Sequence, residues 1–117
     1  MPDAALRWAV QRFDAAPSIA RVEPVRPAIG WSREKFIKRF EAAVGLTPKR
    51  YCRVRRFHAL LDRLARGRDA DWVEVALDGG YSDQSHLNRE FRAFSGLTPG
   101  AYRPVAHDHA SHVAEWG

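Results

Sequence analysis

A single cysteine, Cys52, stands in the 117 residues. One thiol excludes a disulfide framework and any zinc site built on several cysteines, and it fits a reducing compartment. Long apolar runs are missing, so the sequence offers no membrane span. Alternating runs of Val, Ile and Thr are missing as well, which leaves little from which to build strands. The stretch MPDAALRWAVQ has no basic leader ahead of an apolar segment and does not read as a signal peptide. Acidic residues are in deficit: 14 Asp and Glu stand against 19 Lys and Arg, a formal net charge of +5 with a pI near 10. That imbalance points to an anionic partner, whether nucleic acid, membrane headgroups or an acidic protein. Apolar residues make up 45% of the chain, enough for a core. The length suits one domain or two very small ones.

Helical spacing runs through the sequence instead. Asp3 caps a first helix with Leu6, Val10 and Phe13 on one face and Pro17 closing it. A second is expected between Ile19 and Gly30, interrupted by Pro24 and Pro27. Ser32 caps a third with the stripe Phe36, Phe40 and Val44, stopped by Gly45. The fourth and longest opens at Thr47-Pro48 and runs to about Arg66, with Tyr51, Val54, Phe57/His58, Leu61 and Leu64 on its apolar side. GRDAD (67–71) reads as a loop. Asp71 caps a fifth helix, with Glu74 completing a capping box and Gly79-Gly80 ending it. Ser82 caps a sixth, with Leu87, Phe91 and Phe94 inside and Gly96 as the stop. Thr98-Pro99 opens a short seventh ended by Pro104, and the tail beyond has little periodicity.

One phrase occurs twice: GLTPKRY at 45–51 and GLTPGAY at 96–102. Gly suits the position just past a helix, where φ turns positive. Thr is an N-cap, and Pro fits the first helical position, where its missing N–H costs nothing. The phrase therefore ends one helix and starts another. The repeat extends backwards. Gly30-Trp31-Ser32 matches Gly80-Tyr81-Ser82, and Phe36 and Phe40 match Leu87 and Phe91 after one extra residue in the second copy. Each copy is a short helix, a Gly-aromatic-Ser turn and a longer helix, which is a helix-turn-helix. The expected fold is all-α: two tandem helix-turn-helix subdomains, 1–46 and 67–104, joined by a linker helix at 47–66, about seven helices in all, with a flexible tail at 105–117.

A helix-turn-helix can be a mere packing corner, but the outward faces here carry a particular chemistry. The sixth helix shows Gln84, Ser85, Asn88, Arg89 and Arg92 opposite its apolar stripe. Asn and Gln can pair bidentately with adenine in the major groove, and Arg with guanine. The third helix shows Arg33, Glu34, Ile37 and Lys38, with Lys35 and Arg39 beside them. Ile37 aligns with Asn88 and suits either a thymine methyl or the core beside Phe36. The fourth helix concentrates Lys49, Arg50, Arg53, Arg55 and Arg56 in its first half, as phosphate contacts require. At 1.5 Å per residue a helix from Pro48 to Arg66 is roughly 28 Å long. Two reading helices on one face of a duplex stand roughly 34 Å apart.

These residues together resemble the DNA-binding domain of the AraC/XylS family of bacterial transcription regulators. The second copy carries the pattern most fully: Ala76 within WVEVALDGGYSDQSHLNREFRAFSGLTPGAYR, then GYSDQSHL, REF, and the G-x-TP-x-x-YR frame. The resemblance covers about residues 3 to 103. It implies two helix-turn-helix subdomains bridged by a long helix, binding in two successive major grooves, and control of transcription in a bacterial cytoplasm, at the nucleoid. The positions it implies for base contact are Glu34, Ile37 and Lys38, then Gln84, Ser85, Asn88 and Arg89; the outward stripe adds Arg33. Expected phosphate contacts are Ser32, Lys35, Lys49, Arg50, Arg55, Arg56, Ser82, Arg92 and Arg103. The family places a small residue where the two helices of the motif cross. Ala76 meets this, whereas the first copy has Arg26 followed by Pro27, so its short first helix, the second of the chain, is expected to be kinked or shortened.

The expected function is therefore a sequence-specific regulator that binds double-stranded DNA, with RNA polymerase as a further partner, no cofactor and no membrane. Many family members carry a separate sensing or dimerisation domain; the chain is either a short stand-alone regulator or the C-terminal domain of a longer one. The alternative is a protein-interaction module that kept the fold and lost DNA recognition. An enzyme is not expected: Cys52 and His58, six positions apart on one helix, point to different sides with no third group to orient the base. His107, His109 and His112 in the tail read as solvated, and no metal site is expected.

Overall fold

The computed structural model of the chain describes residues 3–66 and 71–102. Within them lie six α-helices and no strand: α1 Ala4–Ala15, α2 Val22–Ile29, α3 Arg33–Val44, α4 Pro48–Ala65, α5 Trp72–Asp78 and α6 Gln84–Ser95, with one 3-10 turn at Pro17–Ile19. No described helix is long and apolar enough to cross a membrane. The chain divides into two compact units inside α4, the first ending at Arg55 and the second starting at Arg56.

In the first unit, Asp3 caps α1 by accepting from the Ala5 and Leu6 N–H groups. Leu6, Ala9 and Phe13 are buried along its inner face. They meet Val25 of α2, Phe36 and Phe40 of α3, and Cys52 of α4 in one core. The aromatic rings set the packing: Phe40 stands 5.9 Å from Phe13, 5.6 Å from Phe36 and 5.6 Å from Tyr51, tilted or edge-on in each case, the arrangement that aromatic quadrupoles favour. The second unit repeats the plan. Phe57, Leu60 and Leu61 of α4 pack with Val75 and Ala76 of α5, Tyr81, and Leu87 and Phe91 of α6. Phe91 lies 5.2 Å from Phe57 and 5.4 Å from Tyr102, both edge-on. The pairs Phe40–Tyr51 and Phe91–Tyr102 are the same contact written twice. The expected linker is thus no bare connector: α4 supplies Tyr51 and Cys52 to one core and Phe57, Leu60 and Leu61 to the other.

The repeated GLTP frame acts as its residues require. Gly45 and Gly96 take the left-handed conformation, at φ 93° and 77°, and close α3 and α6 with bonds to the Glu41 and Arg92 carbonyls. Thr47 Oγ1 accepts from the Arg50 N–H, and Thr98 Oγ1 from the Ala101 N–H. The outcomes then diverge. Pro48 opens the 18-residue α4, but Thr98-Pro99 opens only a turn, closed by Ala101 and Tyr102 on the Thr98 and Pro99 carbonyls. The expected seventh helix is therefore a turn over the described residues. Pro104, the tail and residues 67–70 of the loop lie outside them.

The expected break in α2 does not occur. Pro24 is the third helical residue, where no intrahelical N–H is needed. Pro27 lies inside, yet the helix continues to Ile29 and is sealed by Gly30, whose N–H reaches the Arg26 and Pro27 carbonyls. The cost is one bond, because the Glu23 carbonyl has no N–H at position 27 to receive. Pro27→Ala restores that donor in a helix that ends two residues later. It should stabilise the chain by about 1 kcal/mol, seen as a higher urea midpoint at unchanged m.

Two tyrosines make the fold sensitive to alkali. Tyr51 donates to Asp14 Oδ1 at 2.6 Å. Burial first, and that hydrogen bond second, raise its pKa well above the ordinary tyrosine value. Burial does the same to Tyr81, whose hydroxyl has no hydrogen-bond partner among the described residues. With folded-state pKa values raised, the stabilisation is whole below the unfolded value of about 10 and is lost as pH rises above it. Each tyrosine then removes up to about 1.4 kcal/mol per pH unit. Urea midpoints should fall steeply above about pH 10, and less steeply in Tyr81→Phe, which is close to neutral below that pH.

Candidate nucleic-acid interface

Each unit presents its longer helix behind a short one through a tight turn. Gly30 and Gly80 hold the turns at φ 87° and 89°, a region open to glycine at little cost. Gly79 sits in a tight space: a Cβ there would stand 3.0 Å from the Val75 carbonyl oxygen and 3.3 Å from the Tyr81 ring, so these neighbours would have to give by a few tenths of an ångström. Ser32 caps α3, its Oγ accepting from the Lys35 N–H at 3.2 Å. The expected cap of α6, Ser82, is one residue early. Asp83 caps that helix by accepting from the His86 N–H at 2.7 Å. The Ser82 N–H donates instead to His86 Nδ1. The extra residue of the second copy is thus absorbed between Tyr81 and the cap.

Counted from the caps, the two longer helices are superimposable patterns. Both have 12 residues. Their fourth and eighth residues, Phe36 and Phe40 in α3 and Leu87 and Phe91 in α6, are fully buried. Their first, second, fifth and sixth residues face out. These are Arg33, Glu34, Ile37 and Lys38 in α3, all exposed, and Gln84, Ser85, Asn88 and Arg89 in α6, of which only Gln84 is partly covered. Ile37, open between core and surface on sequence, is 36% exposed. Arg33 Nη2 lies 3.5 Å from Glu23 Oε1, a loose pair between exposed groups and worth little.

The expected phosphate contacts separate into groups. Ser32, Lys35, Ser82 and Arg92 are exposed on or beside α3 and α6, and Lys49 and Arg50 are exposed in the first turn of α4. That turn carries no acidic residue. Cations there oppose the helix dipole, so local helix stability does not account for them. Arg55 is half-buried, its Nε 3.0 Å from Asp14 Oδ1. Arg56 departs from expectation altogether. It is 6% exposed, with its guanidinium 5.7 Å from the centre of the Tyr81 ring. A contiguous run of cations marks charge, but the helical period turns one of them into the core of the second unit. Arg103 lies outside the described residues, as do His107, His109 and His112. Among the described residues no cluster of His, Cys, Asp and Glu could hold a metal ion, and Cys52 is a core residue, 3% exposed.

The Helix-turn-helix domain family matches residues 27–104 of the 117. The chain belongs to the AraC/XylS-type helix-turn-helix family. It also shares its fold with the DNA-binding domain of AdpA, a global transcriptional factor solved in complex with a target DNA. The TM-score is 0.72 at 24% identity, over 97% of this chain and 96% of that one.

In this AraC/XylS-type domain the position that corresponds to Ala76 in the first unit is Arg26. Ala76, at the crossing in the second unit, is fully buried, and its carbonyl receives the Tyr81 N–H at 2.9 Å. Arg26 cannot be buried so cheaply, and its side chain leaves the crossing to strap the turn. Nη1 donates to the Trp31 carbonyl at 3.0 Å, while Nη2 and Nε reach the Glu23 carboxylate. The Arg26 guanidinium holds the Glu23 carboxyl below its ordinary pKa. The first unit thus adds a side-chain bond to the backbone bonds of Gly30, where the second has the backbone bond from Tyr81 to Ala76. Sequence reading also passed over Trp31, which carries Lys35 Nζ at 4.8 Å and the Arg39 guanidinium at 5.5 Å from its ring centre. The spacing of four and eight residues from Trp31 held that signal.

Proposed function

We propose that the chain is a sequence-specific regulator of transcription that binds double-stranded DNA, reading bases with α6 and α3. The observation that carries this is the shared outward stripe. The first, second, fifth and sixth residues of both helices are polar or exposed above fully buried fourth and eighth residues, on the second helix of a helix-turn-helix. That helix is the one such motifs place in the major groove. Membership of the AraC/XylS-type family and a shared fold with the AdpA domain solved on DNA support the same reading. Both helix pairs belong to one chain, so one molecule supplies the two reading helices that a dimer otherwise supplies, in successive major grooves. Lys49, Arg50 and Arg92 serve as phosphate anchors, and RNA polymerase is a further partner.

Selection of bound duplexes from a random library, at one fixed salt concentration, tests the proposal. A defined motif is expected, with sharper base preference in the half read by α6, whose stripe holds Gln84, Ser85, Asn88 and Arg89 where α3 offers Ile37. Equal information in both halves would refute the asymmetry. No enrichment at all would leave the protein-interaction reading in possession.

A further inference from the structure

Trp31 packs against the core of the first unit and also carries charge on its ring. It precedes the cap of α3, is half-buried, and its ring stands 6.5 Å from Phe36, inclined at 57°. From that footing it carries two exposed cations, Lys35 Nζ 4.8 Å and the Arg39 guanidinium 5.5 Å from the ring centre. These cations are one helical turn apart, a like-charge spacing that destabilises a bare helix slightly. Among aromatic rings the indole attracts a cation best, and it offsets that repulsion. The turn beneath is secured by the bond from Arg26 Nη1 to the Trp31 carbonyl, which does not depend on the side chain at position 31. The second unit does the opposite with its equivalent aromatic: Tyr81 is buried and faces the buried Arg56.

We propose that Lys35 and Arg39, organised on the Trp31 ring, form a clamp for a backbone phosphate of DNA, and that Trp31 is its positioning residue. The inference rests on the DNA-binding reading and adds a site to it. A cation resting on an aromatic face still presents its remaining N–H groups to an anion. Holding two such side chains in place removes part of the ordering cost that phosphate binding otherwise carries. The first unit then contributes mainly register and affinity, while α6 contributes base preference.

The test has two arms. In the free protein, the Lys35 and Arg39 side-chain protons should show upfield ring-current shifts that vanish in Trp31→Leu and partly return in Trp31→Tyr. A DNA duplex should move these resonances, and an equal concentration of inorganic phosphate should not. In titrations, with thermal unfolding confirming that each variant is folded, Trp31→Leu should weaken binding to preferred and random duplexes alike by roughly fourfold to 25-fold, from two contacts each worth about twofold to fivefold. In the background Lys35→Ala/Arg39→Ala the same substitution should add nothing. An equal loss in both backgrounds, or no loss, would show that Trp31 only packs the fold, and absent ring-current shifts overturn the clamp without reference to DNA. A parent protein that binds no duplex at all would remove the DNA reading itself, an outcome distinct from an additive Trp31 effect in a protein that binds.

Discussion

Affinity for DNA is expected to fall about a thousandfold between 50 and 200 mM monovalent salt, as for a protein neutralising about six phosphates. The exposed cations Lys35, Lys38, Arg39, Lys49, Arg50, Arg89 and Arg92 supply that number with one to spare. Each phosphate neutralised releases condensed counterions and adds about 0.9 to the slope of log K on log salt. Lys49→Ala with Arg50→Ala should therefore flatten the slope by about 1.8 while leaving the selected motif unchanged. These residues are exposed in the first turn of α4, where their charges oppose the helix dipole. Arg56→Ala should behave in the opposite way, lowering the stability of the second unit by creating a cavity beside Tyr81 and moving the slope little. A parent slope near zero would end the DNA-binding proposal, and an equal flattening by Arg56→Ala would show that its burial is lost in solution.

Much of the architecture was legible because it is written as punctuation. Ser32, Gly45, Thr47-Pro48, Asp71 and Gly96 each carry a local rule strong enough to act without tertiary context, and each lands where its rule puts it. The outward stripes were legible for a related reason: Phe36, Phe40, Leu87 and Phe91 recur at helical spacing and fix which side faces the core. What could not be read was the outcome of competition. Ser82 and Asp83 both qualify as caps, and Asp83 wins because its carboxylate reaches the His86 N–H while Ser82 turns to the His86 ring. Thr98-Pro99 carries the same start signal as Thr47-Pro48 but opens only a turn, since no amphipathic run follows it in the sequence. Pro27 carries a true penalty, but one lost bond near a helix end is small beside the burial of Val25 in the core it shares with Phe36 and Phe40. Arg55 and Arg56 look alike in the sequence, and only the rotation of about 100° per residue sends one to Asp14 and the other under Tyr81.

The largest loss of sequence discrimination is expected from Arg89→Ala. Arg89 is exposed at the sixth position of α6, directly after Asn88, on a helix locked beneath by the buried Leu87 and Phe91. A guanidinium projected from there presents a planar fork that matches O6 and N7 of one guanine, a contact worth about 1–3 kcal/mol of discrimination. The opposing reading makes Arg89 a phosphate contact, which fixes register and carries no base information. The two differ in outcome. A base reader, once truncated, weakens binding to the preferred duplex by roughly fivefold to 150-fold, relaxes preference at one base pair, and barely changes affinity for random duplexes. A phosphate contact, once truncated, weakens binding to every duplex alike and lowers the salt slope by about 0.9. Arg89→Lys sharpens the distinction, since a lysine replaces a phosphate contact well but cannot reproduce the bidentate fork. Both affinities and the salt slope, measured for the parent and the two variants, decide it: a uniform loss restored by lysine would place Arg89 on the backbone and leave Gln84, Ser85 and Asn88 to read the bases.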